Sequence, residues 1–206
     1  MPTVPRPLTA RFEAALAFAS STHRDQARKG TDVPYVAHLL AVSSLVLEHG
    51  ADEDTAIAAL LHDAAEDQGG SAMLEEIRSR FGPRVARIVE GCTDALEAPK
   101  PPWRERKERY LLHVRDMTPE VRLVSMADKL HNARTILADY RRIGETLWTR
   151  FRGGREGSLW YYRSVTDALA DLGPHPLAEE LHRTVAELEK EAAARRLSAD
   201  DSSANA

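Results

Sequence analysis

Apolar residues recur along the chain at intervals of three and four positions, the spacing of one face of an α-helix. In the first such stretch Phe12, Ala15 and Ala19 share a face, and Thr9 precedes it as a suitable N-cap. No stretch alternates with a period of two, so we expect few strands or none. The pattern therefore predicts an all-α fold, a single compact multi-helix domain. The predicted helices span Leu8–Thr22, Pro34–His49, Asp52 or Glu53–Asp67, Ser71–Phe81, Arg84–Thr93, Trp103–Val114, Pro119–Tyr140, Leu159–Leu172 and Pro176–Leu197.

The remaining segments are rich in glycine, proline or polar residues and predict loops. The clearest is Ala98–Pro102, which contains three prolines. The glycine-rich stretch Arg141–Ser158 predicts irregular structure, or partly helical structure around Leu147. We expect one domain over residues 1–197 and a disordered tail over residues 198–206.

Composition excludes several classes of protein. Cys92 is the single cysteine and cannot close an internal disulfide, which favours a reducing compartment and a cytoplasmic protein. Residues 1–10 have no apolar run typical of a signal peptide, and no window approaches the roughly 18 apolar residues of a membrane span. With 28 Lys and Arg against 32 Asp and Glu, we expect no nucleic-acid partner and no membrane partner.

The net charge of −4 is unevenly distributed along the chain. Residues 51–77 carry eight acidic residues and no Lys or Arg, whereas residues 141–163 carry six arginines and two glutamates. Two solvated faces explain this pattern, and composition favours that interpretation. A cation site in the first segment and an anion site in the second are the alternative.

The strongest candidate chemistry lies at residues 59–67, ALLHDAAED, where ionisable side chains directly follow an apolar run. Carboxylates buried beside a histidine are costly unless a cation pairs with them. On a continuous helix, His62 would share a face with Glu66, and Asp63 with Asp67. His38 and Asp128 lie in two other apolar helices, and with His62 and Asp63 they form a nitrogen and oxygen donor set suited to manganese, iron, zinc or magnesium.

Each of these residues alone also has a structural explanation. A lone buried histidine is usually a core residue with a hydrogen bond, and Glu66 with Asp67 can form a solvated helix end. Asp128 can pair with Arg134. The joint occurrence of the four candidate ligands is what favours a metal site.

The order His38, His62-Asp63, Asp128 resembles the H…HD…D pattern of the HD-domain metal-dependent phosphohydrolases. Three segments are similar to the hydrolase domain of RelA/SpoT-type enzymes and to small stand-alone alarmone hydrolases. They are HRDQARK at 23–29 leading to PYVAH at 34–38, ALLHDAAED at 59–67 followed by VEGCTD at 89–94, and ADKLHNAR at 127–134. The likeness extends from about Leu8 to Leu172.

The resemblance implies that His38, His62, Asp63 and Asp128 hold one divalent ion, Mn²⁺ in that family. It implies catalytic roles for Glu66 and Asp67, which orient and deprotonate the attacking water. It also implies substrate contacts from Arg28, Lys29, Asn132 and either Tyr161 or Tyr162. The implied reaction removes the 3′-pyrophosphate of ppGpp or pppGpp, giving GDP or GTP and pyrophosphate.

Other functions stay open at this point. The chain can be an HD phosphohydrolase for another nucleotide, such as a deoxynucleotide or an NADPH-like compound, or a nucleotide-sensing module without turnover. We expect no alarmone synthesis, because few residues lie outside the helical domain. The oligomeric state can be monomer or homodimer. If histidines hold the ion, its affinity should fall below about pH 6.5.

Overall fold

A computed structural model describes residues 7–94, 96 and 99–204 of the chain, and within them we find α-helices and no strands. Ala27 and Pro34 form an isolated antiparallel bridge. The predicted all-α fold is therefore confirmed. In chain order the helices are α1 (Ala10–Thr22), α2 (Val36–Glu48), α3 (Glu53–Leu61), α4 (Gly70–Phe81), α5 (Pro83–Cys92), α6 (Trp103–His113), α7 (Pro119–Ile143), α8 (Gly154–Ala170) and α9 (Pro176–Ala204).

Local sequence signals set several of these helix ends. The Thr9 hydroxyl accepts a hydrogen bond from the Arg11 amide at 3.2 Å and caps α1. Asp52 caps α3 by accepting from the Thr55 amide at 3.0 Å. Gly82 has a φ of +94°, which a residue with a side chain rarely adopts, and it separates α4 from α5.

The described chain divides into two compact units. The first comprises residues up to Pro102 together with Asp116–Asp128, so it contains α1–α5 and the beginning of α7. Its core is aliphatic, with Leu39, Ile57, Leu60 and Ile77 fully or almost fully buried. The second comprises Trp103–Arg115 and the chain from Lys129 onward. The expectation of one domain over residues 1–197 stays a prediction.

The segment after α3 differs from the predicted continuous helix. Leu61 ends α3, and a π-helix follows over Ala65–Gly69. A π turn holds about one residue more than an α turn, so it rotates the side chains that follow it. The Asp67 amide still donates to the Asp63 carbonyl at 2.9 Å, an α-helical bond, so Asp63 and Asp67 keep their helical spacing. The pairing of His62 with Glu66 stays a prediction.

Two other segments are more helical than expected. Gly144–Arg150 forms a 3₁₀-helix around Leu147. The last helix, α9, is helical to Ala204 rather than ending at Leu197, and no glycine or proline follows Pro176 to stop it. Residues 205–206 of the predicted tail lie outside the described residues. In the described part of the chain, no helix is both long and apolar enough to cross a membrane.

The contact between α5 and α7 is unusually close and lies in the first unit. A Cβ atom added at Gly91 would approach Val121 Cγ2 to 2.7 Å and Cγ1 to 3.1 Å. Val121 is buried, and valine has one strongly preferred rotamer in a helix, so its methyl groups cannot turn away. Asp128 lies two helical turns beyond Val121 on α7, so this contact helps to position a candidate ligand.

We expect Gly91→Ala to destabilise the metal-free protein by about 1–2 kcal/mol, because overpacking outweighs the higher helix propensity of alanine. Chemical unfolding measures the change. In a Val121→Ala background the same substitution should cost less, since the clashing methyl groups are gone. A stabilised Gly91→Ala protein would contradict the close approach of α5 and α7.

Candidate functional site

Three separate segments of the first unit bring His38, His62, Asp63 and Asp128 together. His38 lies in the first turn of α2, His62 and Asp63 directly follow α3, and Asp128 lies on α7. His62 Nε2 is 3.0 Å from Asp63 Oδ2 and 3.7 Å from Asp128 Oδ1. His38 Nε2 is 3.6 Å and 3.2 Å from the same two oxygens. The two imidazoles therefore converge on two carboxylates.

The orientation of His62 is set by the end of α3. Its Nδ1 lies 2.9 Å from the Ala59 carbonyl oxygen, which can only accept, so Nδ1 carries the hydrogen. Nε2 then faces the carboxylates, and this buried atom has no hydrogen bond of acceptable geometry. A carbonyl bond on one ring nitrogen is the usual way in which a protein orients a metal-binding histidine.

The burial of these groups makes their charges interdependent. His62 is 3% exposed and Asp128 is 7% exposed. Burial opposes the charged form of His62, but the Asp63 and Asp128 carboxylates outweigh it and raise the pKa of His62 well above its ordinary value. Burial likewise opposes ionisation of Asp63, yet His62 and His38 lower its pKa well below the ordinary value. Without another cation, a proton on His62 compensates one of the two negative charges of the carboxylates.

The donor set fits a divalent metal ion. His38, His62 and Asp128 each offer a ligand atom, and these atoms all lie within 4.8 Å of one another. Asp63 lies at the edge of this cluster, with Oδ2 close to both imidazoles. Two nitrogens with carboxylate oxygens suit manganese, iron or zinc better than calcium.

Glu66 and Asp67 contact partners outside the ligand cluster. Glu66 contacts Lys100 Nζ at 3.1 Å and accepts a hydrogen bond from the Asp94 amide at 3.2 Å. Asp67 accepts from the Gln26 side chain at 2.9 Å and lies 3.8 Å from Lys100. Burial and the Asp94 charge raise the pKa of Glu66, and Lys100 opposes that shift. A half-buried carboxyl group with a raised pKa is a stronger base than an ordinary carboxylate.

Tyr35, His23, Gln26 and Lys100 were not among the candidates from the sequence. The Tyr35 hydroxyl donates to Asp63 Oδ2 at 2.6 Å, and burial together with the Asp63 charge strongly raises the pKa of Tyr35. Tyr35, His23 and Gln26 lie within the HRDQARK and PYVAH segments, which carried the family resemblance. Their contacts are between loops, and no helical spacing indicates them.

Arg28 and Lys29 lie in the loop that precedes Tyr35. The Arg28 amide donates to the Val33 carbonyl at 2.8 Å, which closes this loop. The Arg28 guanidinium carbon is 5.5 Å from the centre of the Tyr35 ring, and Lys29 is exposed. Their contacts with a substrate stay a prediction.

Asn132, Tyr161 and Tyr162 belong to the second unit. Asn132 is half-buried on α7, while Tyr161 and Tyr162 are 6% and 9% exposed on α8. The Tyr161 ring centre lies 6.4 Å from that of Trp103 and 6.5 Å from that of Tyr110. Tyr161 is thus part of an aromatic cluster, and the substrate roles of the three residues stay predictions.

The arginine-rich segment of the second unit is largely engaged in ion pairs. Five of its six arginines contact carboxylates within that unit. The pairs are Arg141 with Glu187 and Glu191, Arg142 and Arg150 with Asp139, Arg155 with Glu145 and Glu156, and Arg163 with Glu189. These contacts favour the interpretation of the segment as a solvated, ion-paired face.

The glycines of this segment have a packing role. A Cβ at Gly153 would meet the Trp103 ring at 2.7 Å, and one at Gly157 would meet it at 3.1 Å. The indole of Trp103 therefore leaves no room for a side chain at Gly153 and only a tight fit at Gly157.

The family model of the HD domain matches residues 15–159, well over half of the chain. The chain belongs to the HD-domain family. Its match contains all four side chains of the candidate metal site, and the pattern His38, His62-Asp63, Asp128 identified from the sequence lies within an HD domain.

Curated relatives of this HD-domain chain carry closely similar names. This chain is 38% identical over 138 residues to the guanosine-3′,5′-bis(diphosphate) 3′-pyrophosphohydrolase MESH1 of Xenopus tropicalis. The match covers 66% of this chain and 72% of the relative. The chain is 39% identical over 125 residues to the guanosine-3′,5′-bis(diphosphate) 3′-pyrophosphohydrolase of Aquifex aeolicus. That match covers 61% of this chain and 18% of the relative, so it spans less than a fifth of the Aquifex protein.

A solved structure has the same fold as this HD-domain chain. It is described as "A metazoan ortholog of SpoT hydrolyzes ppGpp and plays a role in starvation responses". The two chains are 26% identical with a TM-score of 0.69, and the match covers 92% of this chain and 97% of the other. The structural match therefore extends over nearly the whole chain.

We expect Mn²⁺ to bind more tightly as the pH rises, with a midpoint above 6.5, the ordinary pKa of histidine. The carboxylates hold a proton on His62 in the metal-free protein, and the ion must displace it, so affinity is lost as the pH falls through this raised pKa. Calorimetric Mn²⁺ titrations from pH 6 to pH 9 measure the midpoint, which lies higher than the sequence alone suggested.

The matched control is His49→Gln, which changes a histidine whose Nδ1 contacts the Leu45 carbonyl, away from the ligand cluster. It should leave the midpoint unchanged. A midpoint at or below pH 6.5 in the wild-type protein would contradict the charge coupling of His62 with Asp63 and Asp128.

Proposed function

We propose that the chain is a metal-dependent phosphohydrolase that removes the 3′-pyrophosphate of guanosine 3′,5′-polyphosphates. The observation that carries this proposal is the convergence of His38, His62, Asp63 and Asp128 from three segments of the chain. The names of the Xenopus and Aquifex relatives support the choice of substrate. Water attacks the phosphorus atom bonded to O3′, the P–O3′ bond breaks, and O3′ takes a proton as pyrophosphate leaves.

His38, His62, Asp63 and Asp128 would hold one divalent ion, which we propose to be Mn²⁺. Such an ion supplies a Lewis acid that polarises a phosphoryl oxygen and makes a nearby water easier to deprotonate. The imidazoles must be neutral to serve as ligands. The bond from His62 Nδ1 to the Ala59 carbonyl supports this role, because it presents the lone pair of Nε2 to the site.

Glu66 and Asp67 would orient the attacking water and accept its proton. Their position supports this assignment: both carboxylates contact Lys100 or lie near it, and both follow His62-Asp63 within one turn of the π-helix. The raised pKa of Glu66 makes it a stronger base than an ordinary carboxylate, which supports a role as proton acceptor. Asp67 is held by Gln26 rather than by a metal ligand.

Arg28 and Lys29 would bind the nucleotide. A guanidinium beside an aromatic ring can stack on a base and also meet phosphate, and Arg28 lies near Tyr35, which contacts Asp63. As the family resemblance implies, Asn132 would contact the ribose, and either Tyr161 or Tyr162 would contact the substrate. We place the enzyme in the cytoplasm, where guanosine nucleotides are abundant.

With Mn²⁺ present, we expect the wild-type protein to convert ppGpp to GDP and pyrophosphate, and Glu66→Gln to lower kcat about 10²- to 10⁴-fold. Metal content should not change, because Glu66 is outside the ligand cluster. Chromatography of the nucleotides measures turnover. Glu75→Gln is the matched control, since Glu75 is a largely exposed glutamate on α4, and it should retain activity.

A nucleotide panel separates the alternatives. Turnover of a deoxynucleotide or an NADPH-like compound with ppGpp left intact would replace the proposed substrate. Tight nucleotide binding without any turnover would indicate a sensing module. Full activity of Glu66→Gln would remove the proposed base.

We expect Lys100→Met to move the acidic limb of the kcat profile to higher pH. The Lys100 ammonium lowers the pKa of Glu66, so its loss raises that pKa, and the base is then protonated over a wider acidic range. Lys190→Met removes an exposed lysine of α9 and should leave the profile unchanged. An acidic limb that stays in place would exclude Glu66 as the group titrating there.

A further inference from the structure

Tyr35 makes a short hydrogen bond to one of the four proposed ligands. Its hydroxyl donates at 2.6 Å to Oδ2 of Asp63, the same oxygen that lies 3.0 Å from His62 Nε2. We propose that Tyr35 is a positioning residue that holds the Asp63 carboxylate in the geometry needed to complete the metal site. This inference rests on the metal centre of the proposed function and assigns a role outside the ligand set.

Asp63 needs such support because of its place in the chain. It follows the end of α3 and precedes the π-helix, so it lies where the regular helix is interrupted. It also lies at the edge of the cluster formed by His38, His62 and Asp128. A carboxylate has several rotamers, and a hydrogen bond to one oxygen selects among them.

Tyr35 itself is held rigidly on both sides. Its ring stacks on His23 with centroids 5.1 Å apart and planes inclined by 20°. It meets the His38 ring edge-on, with centroids 5.6 Å apart. The Tyr35 amide also donates to the Gln26 carbonyl at 2.9 Å. The hydroxyl is therefore presented to Asp63 by a fixed ring.

The same support extends to Asp67 through Gln26. His23, which is 2% exposed, contacts Gln26 Oε1 through Nδ1 at 2.6 Å, and Gln68 donates to that oxygen at 2.6 Å. These contacts fix the Gln26 amide nitrogen as the donor to Asp67 at 2.9 Å. One loop thus positions a proposed ligand through Tyr35 and a proposed water-orienting carboxylate through Gln26.

The test compares Tyr35→Phe with Tyr140→Phe. Each change removes one hydroxyl that donates to a carboxylate and keeps the ring, since Tyr140 donates to Glu145 at 2.5 Å in the second unit. We expect Tyr35→Phe to weaken Mn²⁺ binding about 10- to 100-fold, the usual effect of losing a partner of a metal ligand. Calorimetry measures this affinity, and Tyr140→Phe should match the wild type.

Two further readouts distinguish positioning from a structural role. The metal-free Tyr35→Phe protein should unfold within the same temperature range as Tyr140→Phe, because both lose one hydrogen bond. With ppGpp, Tyr35→Phe should lower kcat and leave KM unchanged. A raised KM with an unchanged kcat would assign Tyr35 to substrate binding and overturn the inference.

The outcomes separate this inference from the proposed function. Failure of the wild-type protein to bind Mn²⁺ would overturn the metal centre itself. Wild-type affinity in Tyr35→Phe, with an active wild-type enzyme, would overturn only the positioning role. Weaker binding in both tyrosine variants would also overturn it, because the loss would then reflect general destabilisation.

Discussion

The placement of two buried imidazoles against the carboxylates of Asp63 and Asp128 is the constraint on which the candidate site depends. Each buried ion costs several kcal/mol unless other charges compensate it. His38 and His62 therefore lie between Asp63 and Asp128, and the carboxylates raise the pKa of His62. A proton on His62 compensates one of the two negative charges in the metal-free protein, and a divalent ion would compensate both in the proposed enzyme. The arrangement is thus a site prepared for a cation.

The irregular segments around the ligands determine what surrounds that cation. Glu66 and Asp67 lie in the π-helix that follows Asp63, and they contact Lys100 and Gln26. The loop before α2 supplies Tyr35 and Gln26, whose hydrogen bonds reach Asp63 and Asp67. Regular helices therefore provide His38 and Asp128, and the irregular backbone provides the groups that complete the site.

Ion pairs account for much of the remaining charge of the chain. In the first unit Arg84 contacts Asp52, Asp54 and Glu120, and so connects α3 and α5 with the start of α7. The acidic run at residues 51–77 thus contains structural carboxylates at its beginning and candidate site carboxylates after α3. In the second unit, carboxylates on α7, α8, α9 and the 3₁₀-helix pair with the arginines. Charge-rich segments of the chain therefore serve different roles: some carboxylates stabilise the fold through ion pairs, and others form the candidate site.

The sequence by itself determined the helical class and most helix limits, because helical periodicity and N-caps are local signals. It also determined the four converging residues, because the H…HD…D pattern can be recognised from the order of the residues along the chain. It did not indicate the π-helix, the bond from Tyr35 to Asp63 or the contact of Lys100 with Glu66. It also left open whether the arginines bind an anion, and it offered no reason for glycine at 153 and 157. Only the tertiary structure bears on these points, because side chains far apart in the sequence come into contact and leave no periodic trace along the chain. For the arginines, their ion pairs favour a solvated, ion-paired face.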